Sequence, residues 1–139
     1  MTKQNQKPRI HVSAGLIRKD GRFLIAKRQE EGHLAGYWEF PGGKQERGES
    51  LQACLEREIE EELGLKIRAG QVLLAVEHEY ETKLITLHVM ECVILVGKPM
   101  SLECQEFKWV DPANFHKYAF PPPDVEVIEF LSRNNLIAG

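Results

Sequence analysis

The stretch from Gly43 to Leu65 constrains this chain more than any other. It reads Gly-Lys-Gln-Glu-Arg-Gly-Glu-Ser-Leu-Gln-Ala-Cys-Leu-Glu-Arg-Glu-Ile-Glu-Glu-Glu-Leu-Gly-Leu. Leu51, Leu55, Ile59 and Leu63 recur at four-residue spacing, which predicts a helix with one apolar face. Ser50 supplies an N-cap, and Gly64 stands where a glycine ends a helix. At about 100° per residue, Glu58, Glu61 and Glu62 fall within roughly one third of the circumference, beside the apolar stripe. Glu56 and Glu60 fall on the far side and read as solvated. Like charges four residues apart repel mildly in water and more strongly once desolvated. Such a helix calls for a positive partner, and clustered carboxylates suit a hard divalent cation that takes oxygen ligands.

Arg57 and Glu49 are placed to hold each other and so fix the preceding loop against the helix. Gly42 and Gly43 are expected to let the backbone approach a ligand closely, with φ values closed to other residues. A carbonyl there would be one more oxygen ligand.

With 139 residues the prior is one domain with a single core. We expect residues 1–8 to form a mobile polar tail and residues 9–139 a single domain. A net charge of -3 gives no reason to expect a nucleic-acid polymer or an anionic membrane as partner. Cys54, Cys92 and Cys104 are widely spaced, which fits reduced thiols in the cytoplasm better than a disulfide frame or zinc site. No apolar run approaches the roughly 18 residues of a membrane span.

Taken in order, Ile10 to Arg18 and Phe23 to Lys27 read as a strand pair turning at Asp20-Gly21. Arg28 to Gly36 reads as a loop and Tyr37 to Phe40 as a short strand, stopped by a tight bend at Pro41-Gly42-Gly43. After the helix, Leu73 to Glu81 and Leu84 to Val96 read as apolar strands near a sheet centre. Glu106 to Val110 reads as a strand, Asp111 to His116 as one helical turn, and Pro121-Pro122-Pro123 as a stiff connector. Asp124 caps a closing helix to Ser132 whose inner face is Val125, Ile128 and Leu131. The sum is an α/β fold, a mixed sheet with its two helices on opposite faces. His88 reads as structural and Lys83 as solvated.

Gly43, Glu49 and the run Arg57-Glu58-Ile59-Glu60-Glu61-Glu62-Leu63-Gly64-Leu65 match the fixed positions of the Nudix box. Trp38-Glu39-Phe40-Pro41-Gly42-Gly43-Lys44 before it resembles the MutT-like branch, and the resemblance spans Ile10 to Leu131. It implies a Nudix α/β/α sandwich and an Mg²⁺- or Mn²⁺-dependent nucleoside triphosphate pyrophosphohydrolase releasing a monophosphate and pyrophosphate. By position it implies Glu58, Glu61, Glu62, Glu103 and the Gly42 carbonyl as metal ligands, and Arg28 as a phosphate contact. A carboxylate must take the proton of the attacking water, with Glu61 and Glu103 as candidates. Gly43, Glu49 and Gly64 are structural positions of the box, and Arg57 supports the catalytic glutamates.

The resemblance places base recognition at Phe120-Pro121-Pro122-Pro123-Asp124. MutT-type oxidised-guanine hydrolases often carry asparagine where this chain has Asp124. An ionised Asp accepts both donors of a guanine edge, whereas a protonated one matches cytosine. Phe40, Tyr80 and Phe120 are candidates to stack on a base. The first expectation is 8-oxo-dGTP, in nucleotide-pool sanitation linked to DNA repair. The alternatives are CTP, dCTP or 5-methyl-dCTP hydrolysis and a non-catalytic nucleotide-binding regulator. ADP-ribose and dinucleoside polyphosphates stay open.

Overall fold

The computed structural model describes residues 7–29 and 35–137. Residues 1–6 of the expected tail and 30–34 of the expected loop lie outside them. Strand β1 (Arg9–Lys19) turns at Asp20 and Gly21, both at positive φ (54° and 77°), into β2 (Arg22–Lys27). Then come β3 (Trp38–Glu39), β4 (Gly42–Lys44), α1 (Leu51–Leu63), β5 (Lys66–Glu79), β6 (Leu84–Val96) and β7 (Glu106–Val110). A 3-10 turn (Pro112–Lys117) and α2 (Pro122–Arg133) complete the fold.

The seven-stranded sheet runs β3-β2-β1-β6-β5, with β4 added on β1 and β7 on β2. β1 and β6 are parallel, and the other strand pairs are antiparallel. Alternation along a strand sends neighbours to opposite faces. Leu16 and Phe23 therefore join Phe40, Val89, Val127 and Leu131 under α2. Ile17 and Leu24 join Leu55, Ile59, Leu63 and Met90 under α1. The two helices cover opposite faces of a mixed sheet, making an α/β/α sandwich.

The caps of α1 follow the sequence. Ser50 Oγ accepts from the Ala53 amide at 3.0 Å, and Gly64 closes the helix at φ 64°. Several other expectations need correction. β5 begins at Lys66, well before Leu73, because bulges between Ala69 and Leu74 break the alternation that marks a strand. It is an edge strand, and Val72, Leu73, Val93, Leu95 and Val96 are exposed. The inner face of α2 is Pro123, Asp124, Val127 and Leu131, while Val125 is exposed. Asp124 does not cap α2: the N-cap position is Pro121, with no side-chain cap. Lys7 and Pro8 are tied down: Lys7 Nζ meets Glu79 and the Tyr80 carbonyl, and the Pro8 carbonyl accepts from Leu84. His11 and His88, distant in sequence, share a 3.0 Å hydrogen bond between ring nitrogens.

Candidate active site

β4 is where two glycines bring sheet and helix into contact. Neither Gly42 nor Gly43 has positive φ, so the expected special φ values are absent. Both are extended and pair with Ala14 and Ser13 of β1, so Pro41-Gly42-Gly43 leads into a strand. What they supply is space. A Cβ on Gly42 would fall 1.8 Å from the Ser13 carbonyl oxygen, and one on Gly43 would fall 2.3 Å from the Glu58 carboxyl. Ser13, fully buried, donates to the Leu51 carbonyl at 2.9 Å and ties β1 to the first turn of α1.

Arg57 is the hub of the acidic face. Its Nε and Nη2 donate to the two carboxylate oxygens of Glu49 at 3.0 and 2.7 Å, a bidentate pair. Its Nη1 reaches Glu58 at 3.0 Å and Glu61 at 3.3 Å. The Arg57 hydrogen bonds, with the Glu46 amide, hold Glu49 down to about 2. Glu58 is pushed up by burial and by the charges of Glu61 and Glu103, against Arg57. Glu62 is pushed up to about 9 by burial first, then by Glu39, Glu58 and Glu103. Its Oε1 is sealed from solvent and has no hydrogen-bond partner. Of the two glutamates read as merely solvated, Glu60 pairs with Lys66 on the surface. Glu56 instead accepts from the Ala69 amide at 3.0 Å and pins the start of β5.

Glu103 is exposed, and its loop is threaded onto the C-terminal end of α1. The Met100 amide donates to Leu63 O at 2.8 Å, and the Leu102 and Glu103 amides to Glu62 O at 3.0 and 3.2 Å. Gln29, two residues beyond β2, donates its side-chain amide to the Glu103 carbonyl. These bonds fill carbonyls that a helix end leaves unpaired.

A cavity of about 330 Å³ opens beside this face. Glu58, Glu62, Gly42 and Gly43 line it, with Arg28, Phe40, Tyr80 and Asp124. Glu61, Arg57 and Glu103 stand outside its lining. Phe120 does not line it either. It is only 9% exposed and stacks on Phe40 in the core, with centroids 5.7 Å apart and planes at 23°. Phe40 itself is 2% exposed, with Phe23 and Phe115 edge-on to it.

Asp124 is buried at 6% exposure, and its Oδ2 accepts from the Phe40 amide at 3.0 Å. Burial, then the Glu39 charge, pushes it up to about 8 against Arg28 and that amide. Glu39 was not picked out from sequence. It pairs with Arg28 at 2.8 Å, lines the cavity, and is itself raised by burial. Its signal was the β3 alternation between Trp38 and Phe40. Lys44 and Lys83 also line the cavity, so Lys83 is not merely solvated. Ile10, Val12, Ile85 and Leu87 make an apolar wall, legible as one face of two alternating strands.

A carboxylate-bearing helix thus lies against a glycine strand, beside a cavity of small-molecule size. Among the described residues no three His, Cys, Asp or Glu form a preassembled metal cage. The unpartnered Glu62 oxygen among acids nonetheless fits a hard cation. A family model of the NUDIX domain matches residues 13–130. The chain belongs to this family, in its MutT-like branch, and is a hydrolase of phosphoric anhydride bonds. It is 34% identical over 120 residues to the CTP pyrophosphohydrolase of Escherichia coli (86% of this chain, 89% of that protein). It is 34% identical over 123 residues to the 8-oxo-dGTP diphosphatase of Haemophilus influenzae (88% and 90%). The crystal structure of a MutT protein from Methanosarcina mazei superposes with TM-score 0.84 at 30% identity, over 94% of this chain and 97% of the other.

Proposed function

We propose that this chain is a nucleoside triphosphate pyrophosphohydrolase that adds water across a phosphoric anhydride and releases a nucleoside monophosphate and pyrophosphate. One observation carries the reading: Glu58, Glu62 with its unpartnered oxygen, and the buried Asp124 line the same cavity. Its volume is in the range of small-molecule sites. Glu58, Glu61, Glu62, Glu103 and the Gly42 carbonyl would hold Mg²⁺ or Mn²⁺. When bound, the metal neutralises phosphate charge and lowers the pKa of a coordinated water. Arg57 holds Glu58 and Glu61 in place through the Glu49 pair, and Glu61 or Glu103 takes the water's proton. Arg28, aligned by Glu39, meets the phosphates. Tyr80 flanks the base, while Phe40 lines the cavity from the core. Free thiols at Cys54, Cys92 and Cys104 suit a cytoplasmic setting.

For the base, the buried Asp124 favours cytosine. A neutral carboxyl offers an O–H to cytosine N3 and a carbonyl oxygen to its amino group. Guanine presents two donors and needs the ionised form. With Asp124 near 8, ionising it at pH 7 costs on the order of 1 kcal/mol. The 8-oxo-dGTP reading stands second, supported by the relatives named 8-oxo-dGTP diphosphatase. The test is kcat/KM for 8-oxo-dGTP, dGTP, CTP, dCTP, 5-methyl-dCTP and ADP-ribose with Mg²⁺. A lead for cytosine nucleotides is expected. A lead for 8-oxo-dGTP reverses the order of the bases, and no turnover at all leaves a nucleotide-binding regulator.

A further inference from the structure

The cavity wall formed by Tyr80 and Lys83 sits on the turn between β5 and β6, and that turn is held from the far end of the chain. The turn closes on itself through the Tyr80 amide and the Lys83 carbonyl at 2.8 Å. Lys7 Nζ then donates to the Tyr80 carbonyl at 2.9 Å and to Glu79 Oε2 at 2.5 Å. One residue on, the Pro8 carbonyl accepts from the Leu84 amide at 2.9 Å. The lysine is half-buried, and its hydrogen bond, then its charge, holds the Glu79 carboxyl below the usual range. Arg9 makes a second link, to Glu77 at 2.7 Å and Thr86 at 2.9 Å, but lower on the strands and away from the turn.

We propose that Lys7 is a positioning residue for the nucleotide: it fixes the turn so that Tyr80 and Lys83 face the cavity. The carbonyl it grips belongs to Tyr80 itself, a residue that lines the site. Losing that grip frees the wall without touching the carboxylates of α1. The proposal rests on the nucleotide reading of the cavity.

Two variants separate positioning from plain stability. Lys7→Met should raise KM for the best panel nucleotide about fivefold with kcat nearly unchanged, as for one lost hydrogen bond. Lys7→Arg should restore it. Arg9→Met loses a comparable surface link and should lower Tm by a similar amount with KM unmoved. In a Tyr80→Ala, Lys83→Ala background, Lys7→Met should have no further effect on KM. An equal rise of KM in Lys7→Met and Arg9→Met, or the full Lys7 effect without the Tyr80 and Lys83 side chains, overturns the proposal. Hydrogen exchange supplies a readout that needs no turnover. The Tyr80 and Leu84 amides should exchange faster in Lys7→Met while those of α1 do not, and unchanged exchange overturns the clamp. Failure of wild-type protein to bind any nucleotide would instead sink the reading of the cavity, with the exchange result still deciding the clamp.

Discussion

Glu62 keeps a carboxylate oxygen sealed from water with no donor to meet it, and a buried unsatisfied polar group costs about 1–3 kcal/mol. Its neighbours Glu39, Glu58 and Glu103 add repulsion. Such a residue serves the site at the expense of the fold. Glu58→Gln and Glu62→Gln should each lower turnover on the order of a hundredfold, while metal-free Glu62→Gln melts no lower than wild type. A large drop in Tm with intact turnover would reverse both assignments. Asp124 gives a second residue-scale prediction, with a defined sign. Its folded value lies near 8, above its ordinary 3.8. Between those values the folded chain holds a proton that the unfolded chain has released, so stability falls as pH rises through the window. In urea unfolding, wild type should lose more stability from pH 5 to pH 8 than Asp124→Asn. Equal losses would mean that the carboxyl is not held neutral. The same proton predicts weaker cytosine-nucleotide binding as pH passes 8, read as KM. Arg28, Glu39, Tyr80 and Lys83 share that cavity, so the Asp124→Asn profile is the control.

Among the elements, β4 couples sheet to helix through two glycines that fail in different ways. The Gly42 contact is with backbone that cannot yield, so Gly42→Ala should cost several kcal/mol of stability, at the upper end for single substitutions. The Gly43 contact is with the Glu58 side chain, which can swing away. Gly43→Ala should therefore stay folded and lose activity, measured by chemical denaturation beside turnover. Element by element, local signals were legible. Ser50 and Gly64 act within one turn of the helix they bound, and Asp20-Gly21 needs only its own φ values. The first half of β5 was not legible, because Arg68, Gly70 and the bulges hide its period. Asp124 was misread as a cap because its partner, the Phe40 amide, lies 84 residues away. Phe120 looked free to stack on a base because the ring it stacks on, Phe40, is remote in sequence.

At the scale of the molecule, the proposed metal acids ride on α1 and the proposed base reader on α2, on opposite faces of one sheet. The parallel pairing of β1 with β6, from Arg9–Leu84 to Ile17–Cys92, brings both to one cavity. No local pattern announces that pairing, which is why the apolar faces of the two strands were readable in the sequence and their order in the sheet was not. The arrangement leaves the metal-free protein with uncompensated carboxylates, so a ligand that binds only the folded state should stabilise it. Millimolar Mg²⁺ should raise the Tm of wild type and leave a Glu58→Gln, Glu62→Gln double variant unmoved. An equal rise in both would place the cation elsewhere. The loop carrying Glu103 is hung on the end of α1 by the main-chain amides of Met100, Leu102 and Glu103. Those three bonds do not depend on the side chains that carry them, and proline at any of the three positions would cut one. The chain thus holds position 103 as an open socket, in which acids of different reach can be exchanged without rebuilding the loop beneath them.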